Sequence, residues 1–281
     1  MVNGVVYDEL GGLCAFSPAN GSRVWIASTG SSDSSPAVVD GVAYVGSGTV
    51  AVGPATGYLF AFSTANGQTL WAADTKQIFG APSVSNGVVY VASFNHGVRA
   101  YDTTTGAKLW EASAGGQLNS TPAVANGVVY VGSGDSNLYA FNAAGGELIW
   151  KAPTSGGISS SPAVANGIIY VGSGYDLYAL DAQTGQQLWS AATGSFVTSS
   201  PAVANGVVYV GSYDRNLYAF NAATGQRLWS AATGGLVESS PAVANGMVYI
   251  GSDDYKLYAF GLPHSPQPPA RPDPAMLKPS R

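Results

Sequence analysis

Few residues in this chain have side chains suited to catalysis or metal binding. Of its 281 residues, one is a cysteine and two are histidines. Cys14 therefore has no partner for a disulfide bond or a cysteine-rich zinc site. His96 and His264 fall in segments rich in loop-forming residues, where a Ser-His-Asp triad or a histidine metal site would have to be built around one of them. We expect no catalytic residue, no metal site and no cofactor.

Three aspartates recur at equivalent positions of the chain. Asp135, Asp214 and Asp254 each follow a β-branched run and precede an alternating one. An Asp in such a loop caps neighbouring backbone amides as an Asx-turn. Calcium needs six to eight oxygen ligands, and the adjacent Asp253 is the one further carboxylate we identify there. The pattern favours loop caps over a cation site.

The composition excludes two classes of partner. Charged residues make up 10% of the chain and the formal net charge is −5, so there is no basic surface for nucleic acid or an anionic membrane. No apolar run reaches the length of a membrane-spanning helix. Met1 is not followed by the basic region and apolar run of an export signal. We expect no nucleic-acid binding and no insertion into a membrane.

A repeat of about 40 residues organises the chain. The pattern N-G-x-x-Y, or D-G-x-x-Y once, occurs once in each of seven units. Its glycines are Gly4, Gly41, Gly87, Gly127, Gly167, Gly206 and Gly246. The second unit inserts about seven residues between Gly46 and Gly57, in the predicted loop between its second and third strands. Such a period indicates stacked structural units.

Each unit predicts four short antiparallel strands, A to D. In the unit at residues 199–233, Asn205-Gly206 predicts a type I′ turn between strands A and B, and V-V-Y-V and L-Y-A-F alternate as strands B and C. No helical period occurs. The fold class predicted is all-β, a propeller of about seven four-stranded blades, with a first blade that lacks strand A and a last blade that lacks strand D. These blades either close into a ring of seven or form an arc of a larger propeller.

Six copies of the block A-x-x-x-x-x-G-x-x-x-W run through the chain, without any Trp-Asp dipeptide. This block resembles the tryptophan-docking motif of the pyrroloquinoline quinone (PQQ) repeat propellers, which include BamB-like proteins and quinoprotein dehydrogenases. The resemblance covers residues 1–260 and implies that each tryptophan packs on the neighbouring blade. These residues are Trp25, Trp71, Trp110, Trp150, Trp189 and Trp229. Residues 261–281, with seven prolines, are expected to form a disordered tail.

The loops between strands B and C and between blades differ from unit to unit, whereas the A–B and C–D turns barely change. Variable loops presented by a rigid scaffold are where binding residues concentrate. The candidate ligand-face residues are Phe94, His96, Tyr175, Phe196, Tyr213, Arg215, Glu238 and Tyr255.

The residues agree to different degrees with three functions. A non-catalytic scaffold that binds a peptide, protein or other ligand on its loop face agrees best with the residues. A PQQ-dependent dehydrogenase is an alternative, but no position matches the calcium ligands, the adjacent cysteines or the catalytic carboxylate that the resemblance implies for such enzymes. A carbohydrate-binding propeller, the other alternative, would repeat one aromatic position in every blade. The resemblance also implies an extracytoplasmic location.

Overall fold

The computed structural model of the protein describes residues 6–9, 12–29, 34–49, 56–76, 78, 80–94 and 97–261. In these residues 26 strands form seven antiparallel sheets. The predicted all-β propeller is confirmed, and each sheet is called a blade below. Within this part of the chain we find no helix long and apolar enough to cross a membrane.

The blades follow the order of the sequence. Blade 1 contains β1 (Val6–Glu9), β2 (Leu13–Phe16) and β3 (Arg23–Ala27). Blade 2 contains β4 (Ala37–Val39), β5 (Val42–Thr49), β6 (Thr56–Ser63) and β7 (Thr69–Asp74). Blade 3 contains β8 (Ser83–Ser85), β9 (Val88–Ser93), β10 (Gly97–Asp102) and β11 (Lys108–Ser113). Blade 4 contains β12 (Ala123–Ala125), β13 (Val128–Gly132), β14 (Asn137–Asn142) and β15 (Leu148–Pro153).

The remaining blades repeat this order. Blade 5 contains β16 (Ala163–Ala165), β17 (Ile168–Ser173), β18 (Asp176–Asp181) and β19 (Gln187–Ala192). Blade 6 contains β20 (Ala202–Ala204), β21 (Val207–Gly211), β22 (Asn216–Asn221) and β23 (Arg227–Ala232). Blade 7 contains β24 (Ala242–Ala244), β25 (Met247–Ser252) and β26 (Lys256–Gly261).

Within each blade every strand pairs with the next strand of the chain. Blades 2 to 6 have strands A to D, whereas the described part of blade 1 lacks strand A and that of blade 7 lacks strand D, as the sequence predicts. Gly261, which the sequence assigned to the tail, is the last residue of β26. Residues 262–281 lie outside the described residues.

The segment inserted in blade 2 differs from the prediction of a longer loop. Its described part is paired, with Gly48 opposite Gly57 and Thr49 opposite Thr56, so that β5 and β6 are each eight residues long. Pairing satisfies backbone groups that a loop would leave to water. The insertion therefore lengthens the hairpin between strands B and C.

The turn between strands A and B has the predicted type I′ geometry. In six blades its first residue has a φ between 48° and 52°, and the glycine that follows has a φ between 73° and 78°. Asparagine and glycine tolerate this left-handed region better than other residues. The first residues of these turns are Asp40, Asn86, Asn126, Asn166, Asn205 and Asn245.

A tryptophan and a tyrosine of one blade meet on a single carbonyl group of the next. Trp110 Nε1 donates a hydrogen bond to the Ala143 carbonyl oxygen at 2.9 Å, and the Tyr90 hydroxyl donates to the same oxygen at 3.2 Å. The indole also covers the following glycine, since a Cβ on Gly146 would lie 2.6 Å from the Trp110 ring. Glycine is needed there because of this approach and a φ of 80°.

The same contact recurs between other blades. Trp25 donates to the Thr64 carbonyl oxygen at 2.9 Å and Trp189 to that of Ala222 at 3.1 Å. Trp150 differs, because its buried Nε1 has no hydrogen-bond partner, although its ring packs on Gly185 in the usual way. One blade is thereby fixed to the next at the same point from blade 1 to blade 6, whereas Trp229 of blade 6 lies against Phe260 of blade 7.

Apolar clusters fill the spaces between consecutive blades. Leu177 and Ala179 of blade 5, for example, pack with Val208 and Val210 of blade 6. Six clusters of this kind join blades 1 to 7 in sequence. Among the described residues none joins blade 7 to blade 1. The core is thus a series of layers between blades, with the loops at its two ends.

Candidate binding surface on the loop face

The two faces of the propeller are built differently. On the turn face, the C–D turn of a blade is hydrogen-bonded to its own A–B turn, as from Ala222 N to the Gly206 carbonyl oxygen at 2.9 Å and from Thr103 N to that of Gly87 at 3.0 Å. These turns repeat almost unchanged. The B–C loops and the D–A loops between blades meet on the opposite face, called the loop face, where the sequence varies.

Three aromatic side chains form a cluster on the loop face of blades 5 and 6. Phe196 lies in the D–A loop between these blades, with its ring centroid 4.6 Å from that of Tyr175 and 6.3 Å from that of Tyr213. Both pairs are edge-on, the geometry preferred by aromatic quadrupoles. Tyr175 is 54% and Phe196 is 49% exposed. We call these three residues the aromatic cluster.

Backbone hydrogen bonds hold the loops that carry this cluster. Tyr213 N donates to the Phe196 carbonyl oxygen at 3.0 Å, and Val197 N donates to that of Gly174 at 2.9 Å. Thr193 N donates to the Tyr175 carbonyl oxygen at 2.9 Å. The next side chain, Val197, is 3% exposed and belongs to the core between the blades. The exposed rings are therefore displayed on a fixed backbone, which lowers the entropic cost of binding.

A carboxylate borders the aromatic cluster. Glu238 lies in the D–A loop that leads to blade 7 and is exposed. Its interaction with the Tyr213 hydroxyl, together with burial, raises the pKa of that hydroxyl above its ordinary value. At neutral pH the phenol is therefore protonated, and the carboxylate oxygens of Glu238 are available as acceptors at the edge of the rings.

The remaining candidate residues lie elsewhere on the loops. Arg215 and Tyr255 take equivalent positions in the B–C loops of blades 6 and 7, with φ of 71° and 65°. Both are exposed. Phe94 is partly buried in the B–C turn of blade 3, and His96 lies outside the described residues. Of the eight candidates, the structure thus brings together Tyr175, Phe196, Tyr213 and Glu238.

The recurring aspartates act as loop caps. Asp214 Oδ1 accepts a hydrogen bond from Asn216 N at 3.1 Å, and its other oxygen accepts one from the Tyr218 hydroxyl and one from Gly194 N. Burial opposes ionisation of Asp214, but the hydrogen bonds from Tyr218 and Asn216 outweigh it and lower its pKa. The hydrogen bond from the Tyr258 hydroxyl is the main cause that lowers the pKa of the Asp254 carboxyl group to about 2. These carboxylates join the B–C loop to strand C.

Other places in the described part of the chain are weaker candidates for a functional site than the aromatic cluster. No three His, Cys, Asp or Glu side chains lie together there as metal ligands would, and Cys14 is buried. A furrow between blades 2 and 3 on the turn face is lined by Val39, Tyr44 and Val84, with the turn residues Asp40 and Asn86. The residues that line this furrow recur in the turns of other blades. They therefore offer no feature that would select one ligand over another.

Comparison with known proteins places the chain among repeat propellers. The family model described as "Outer membrane protein assembly factor BamB" matches residues 9–117, 95–196 and 173–262. No curated protein sequence matches the chain.

Two solved structures have a similar backbone. BamB from Moraxella catarrhalis has a TM-score of 0.66 at 18% sequence identity, over 93% of this chain and 97% of that one. The computationally designed Ika8 protein has a TM-score of 0.80 at 16% identity, over 93% of this chain and 82% of that one. At these identities the likeness concerns the fold.

Proposed function

Because the chain belongs to the PQQ-repeat family described as outer membrane protein assembly factor BamB, we propose that it is a non-catalytic scaffold that binds a protein or peptide on its loop face. The family supports a protein-binding role at this coarse level. The binding residues proposed here are those of the aromatic cluster and Glu238.

The half-exposed rings of Tyr175 and Phe196 are the observation that carries this proposal. Aromatic side chains dominate the binding energy of protein interfaces, because a large rigid ring buries much area at a small entropic cost. The partner segment is expected to place an apolar or aromatic side chain against Phe196. A backbone amide or a polar side chain of the same segment would donate a hydrogen bond to Glu238.

Two alternatives are less well supported by the loops. A quinoprotein site needs carboxylates free to hold a cation and to act as a base, whereas Asp135, Asp214 and Asp254 accept hydrogen bonds from tyrosine hydroxyls and loop amides. A carbohydrate-binding propeller would repeat one aromatic position around the ring. The position of Tyr213 in blade 6 is instead Gly134 in blade 4 and Asp253 in blade 7.

We also propose an extracytoplasmic location, as the name of the family suggests. A scaffold that helps to assemble outer membrane proteins works outside the cytoplasm. The net charge of −5 and the scarcity of lysine are compatible with this location but do not require it.

Photo-crosslinking tests where the partner binds. A photoreactive phenylalanine analogue is placed at position 196 or 213 and, as controls, at Thr104 on the turn face and Leu228 on the outer strand of blade 6, both of which are exposed. We expect one protein to be crosslinked from positions 196 and 213 and not from the controls. Crosslinking from Thr104 alone would place the partner on the turn face. Binding to glycans without any crosslinked protein would favour the carbohydrate alternative.

A further inference from the structure

A partner that binds as proposed makes two contacts on the loop face, an apolar one with Phe196 and a hydrogen bond to Glu238. Both of these residues lie against Tyr213. Phe196 is at its ring, with 6.3 Å between the ring centroids, and Glu238 acts on its hydroxyl. The two contact points are therefore about one tyrosine side chain apart, and a single long side chain of the partner can reach both.

Negative charge borders the exposed rings. The carboxylates of Glu238 and Asp253 both act on the Tyr213 hydroxyl, and both residues are exposed. A third carboxylate, that of Asp176, belongs to the residue that directly follows Tyr175 and is partly buried. A cation placed on the rings would therefore be attracted from more than one side.

The cations of the same loops do not neutralise this charge. Lys256 Nζ is paired with Asp254 Oδ2 at 3.1 Å. Arg215 is exposed and directly follows Asp214, whose pKa is lowered so that its carboxylate is ionised at neutral pH. These two cations are thus each offset by a neighbouring carboxylate, and the charges of the three carboxylates beside the rings remain.

An arginine side chain fits this combination of rings and carboxylates. An uncharged apolar side chain on Phe196 would displace water from Glu238 without replacing its hydrogen bonds, which is costly. An arginine instead covers a ring with its methylene stem, stacks its flat guanidinium on an aromatic face and donates two parallel hydrogen bonds to a carboxylate. A lysine ammonium is more strongly hydrated and has no flat surface. We propose that the partner binds the aromatic cluster and Glu238 through an arginine.

Short peptides test this inference with the whole protein. The peptide acetyl-Gly-Arg-Gly-amide is titrated into the protein while NMR follows the backbone amide signals of Phe196 and Val197. In matched peptides the arginine is replaced by citrulline, which has nearly the same shape without the charge, by lysine or by leucine. We expect the arginine peptide to bind at least about fivefold more tightly than the citrulline and leucine peptides, with the lysine peptide between them.

Two variants with the same change in net charge locate the contact. Glu238→Gln removes the carboxylate beside the rings, whereas Glu147→Gln removes an exposed carboxylate at the C–D turn of blade 4, on the turn face. We expect Glu238→Gln to weaken binding of the arginine peptide by at least about fivefold and Glu147→Gln to leave it unchanged. Equal binding of the arginine and leucine peptides, equal effects of the two variants, or no shift at Phe196 with the arginine peptide at about 20 mM would overturn the inference.

This inference rests on the proposed function, and the photo-crosslinking experiment separates the two. A protein crosslinked from positions 196 and 213 whose contacted segment contains no arginine would leave the scaffold proposal standing and contradict the arginine contact. Crosslinking from Thr104 alone would contradict the loop face as the binding surface, and with it the arginine contact. We expect the crosslinked segment to contain an arginine whose replacement by citrulline weakens binding by at least about fivefold.

Discussion

Trp189 and Tyr213 are both partly buried aromatic residues, but they are held by different kinds of contact. Trp189 packs on Gly225 of the next blade, where a Cβ would lie 2.7 Å from its ring, and it donates to the Ala222 carbonyl oxygen. Tyr213 contacts Phe196 and Glu238 on the loop face. The contacts of Trp189 stabilise the junction of two blades, whereas those of Tyr213 belong to a surface.

The two residues are therefore expected to differ in their effect on stability. Trp189→Ala removes an aromatic ring from between two blades and is expected to lower the free energy of unfolding by about 3 kcal/mol. Tyr213→Ala is expected to cost about 1 kcal/mol or less. Urea unfolding of both variants measures the difference. Equal losses would contradict the placement of Trp189 in the junction between blades.

At the scale of elements, much of each blade follows from the sequence. Asn-Gly pairs between alternating segments predict the type I′ turns because few other residues tolerate their backbone angles. The contact of Tyr175 with Phe196 was not predictable, because Tyr175 is in the B–C loop of blade 5, Phe196 is in the D–A loop that follows this blade, and the meeting of the rings depends on the conformations of these two loops. In blade 6 the pairing of strands C and D shifts register between Ala219, which faces Trp229, and Phe220, which faces Arg227. No residue type in the sequence signals this shift.

The capped B–C loop predicts a dependence of stability on pH. The pKa of Asp214 is lowered in the folded protein, so its contribution to stability is present above the pKa of the unfolded chain, near 3.9, and is lost as the pH falls through the folded value. Asp214→Asn is expected to cost about 1 kcal/mol at pH 7 and less at pH 2. Denaturant unfolding at both pH values checks this. A cost that does not shrink in acid would contradict the role of the ionised carboxylate.

At the scale of the whole molecule, the structure is a chain of similar blades whose stability comes from contacts between neighbours. The seven sheets formed by the described residues were predictable from the repeat, because each Asn-Gly or Asp-Gly pair marks one unit. The exposure of Leu257 was not predictable, since its sequence context is that of the buried Leu217. Exposure depends on which element packs against a blade, and the repeat pattern carries no information about that neighbour.

The whole molecule is also expected to lack quinoprotein activity. Oxidation of an alcohol or sugar by PQQ needs the quinone held rigidly, its carbonyl polarised by a cation, and a base for the substrate proton. We expect no turnover when the protein is mixed with PQQ, calcium, a redox dye and a panel of alcohols and aldoses. Turnover above about one per second, lost on addition of a chelator, would contradict the scaffold proposal.

The affinity of the crosslinked partner for a variant of the aromatic cluster tests the central claim most directly. Phe196→Ser removes a ring that is 49% exposed, and Leu228→Ser removes a side chain that is 46% exposed on the outer strand of blade 6. Calorimetry with the purified partner is expected to show that Phe196→Ser weakens binding by at least about tenfold, or about 1.4 kcal/mol, while Leu228→Ser leaves it unchanged. Equal affinities of the Phe196→Ser variant and the unmodified protein, both folded with the same Tm, would contradict binding through the loop face.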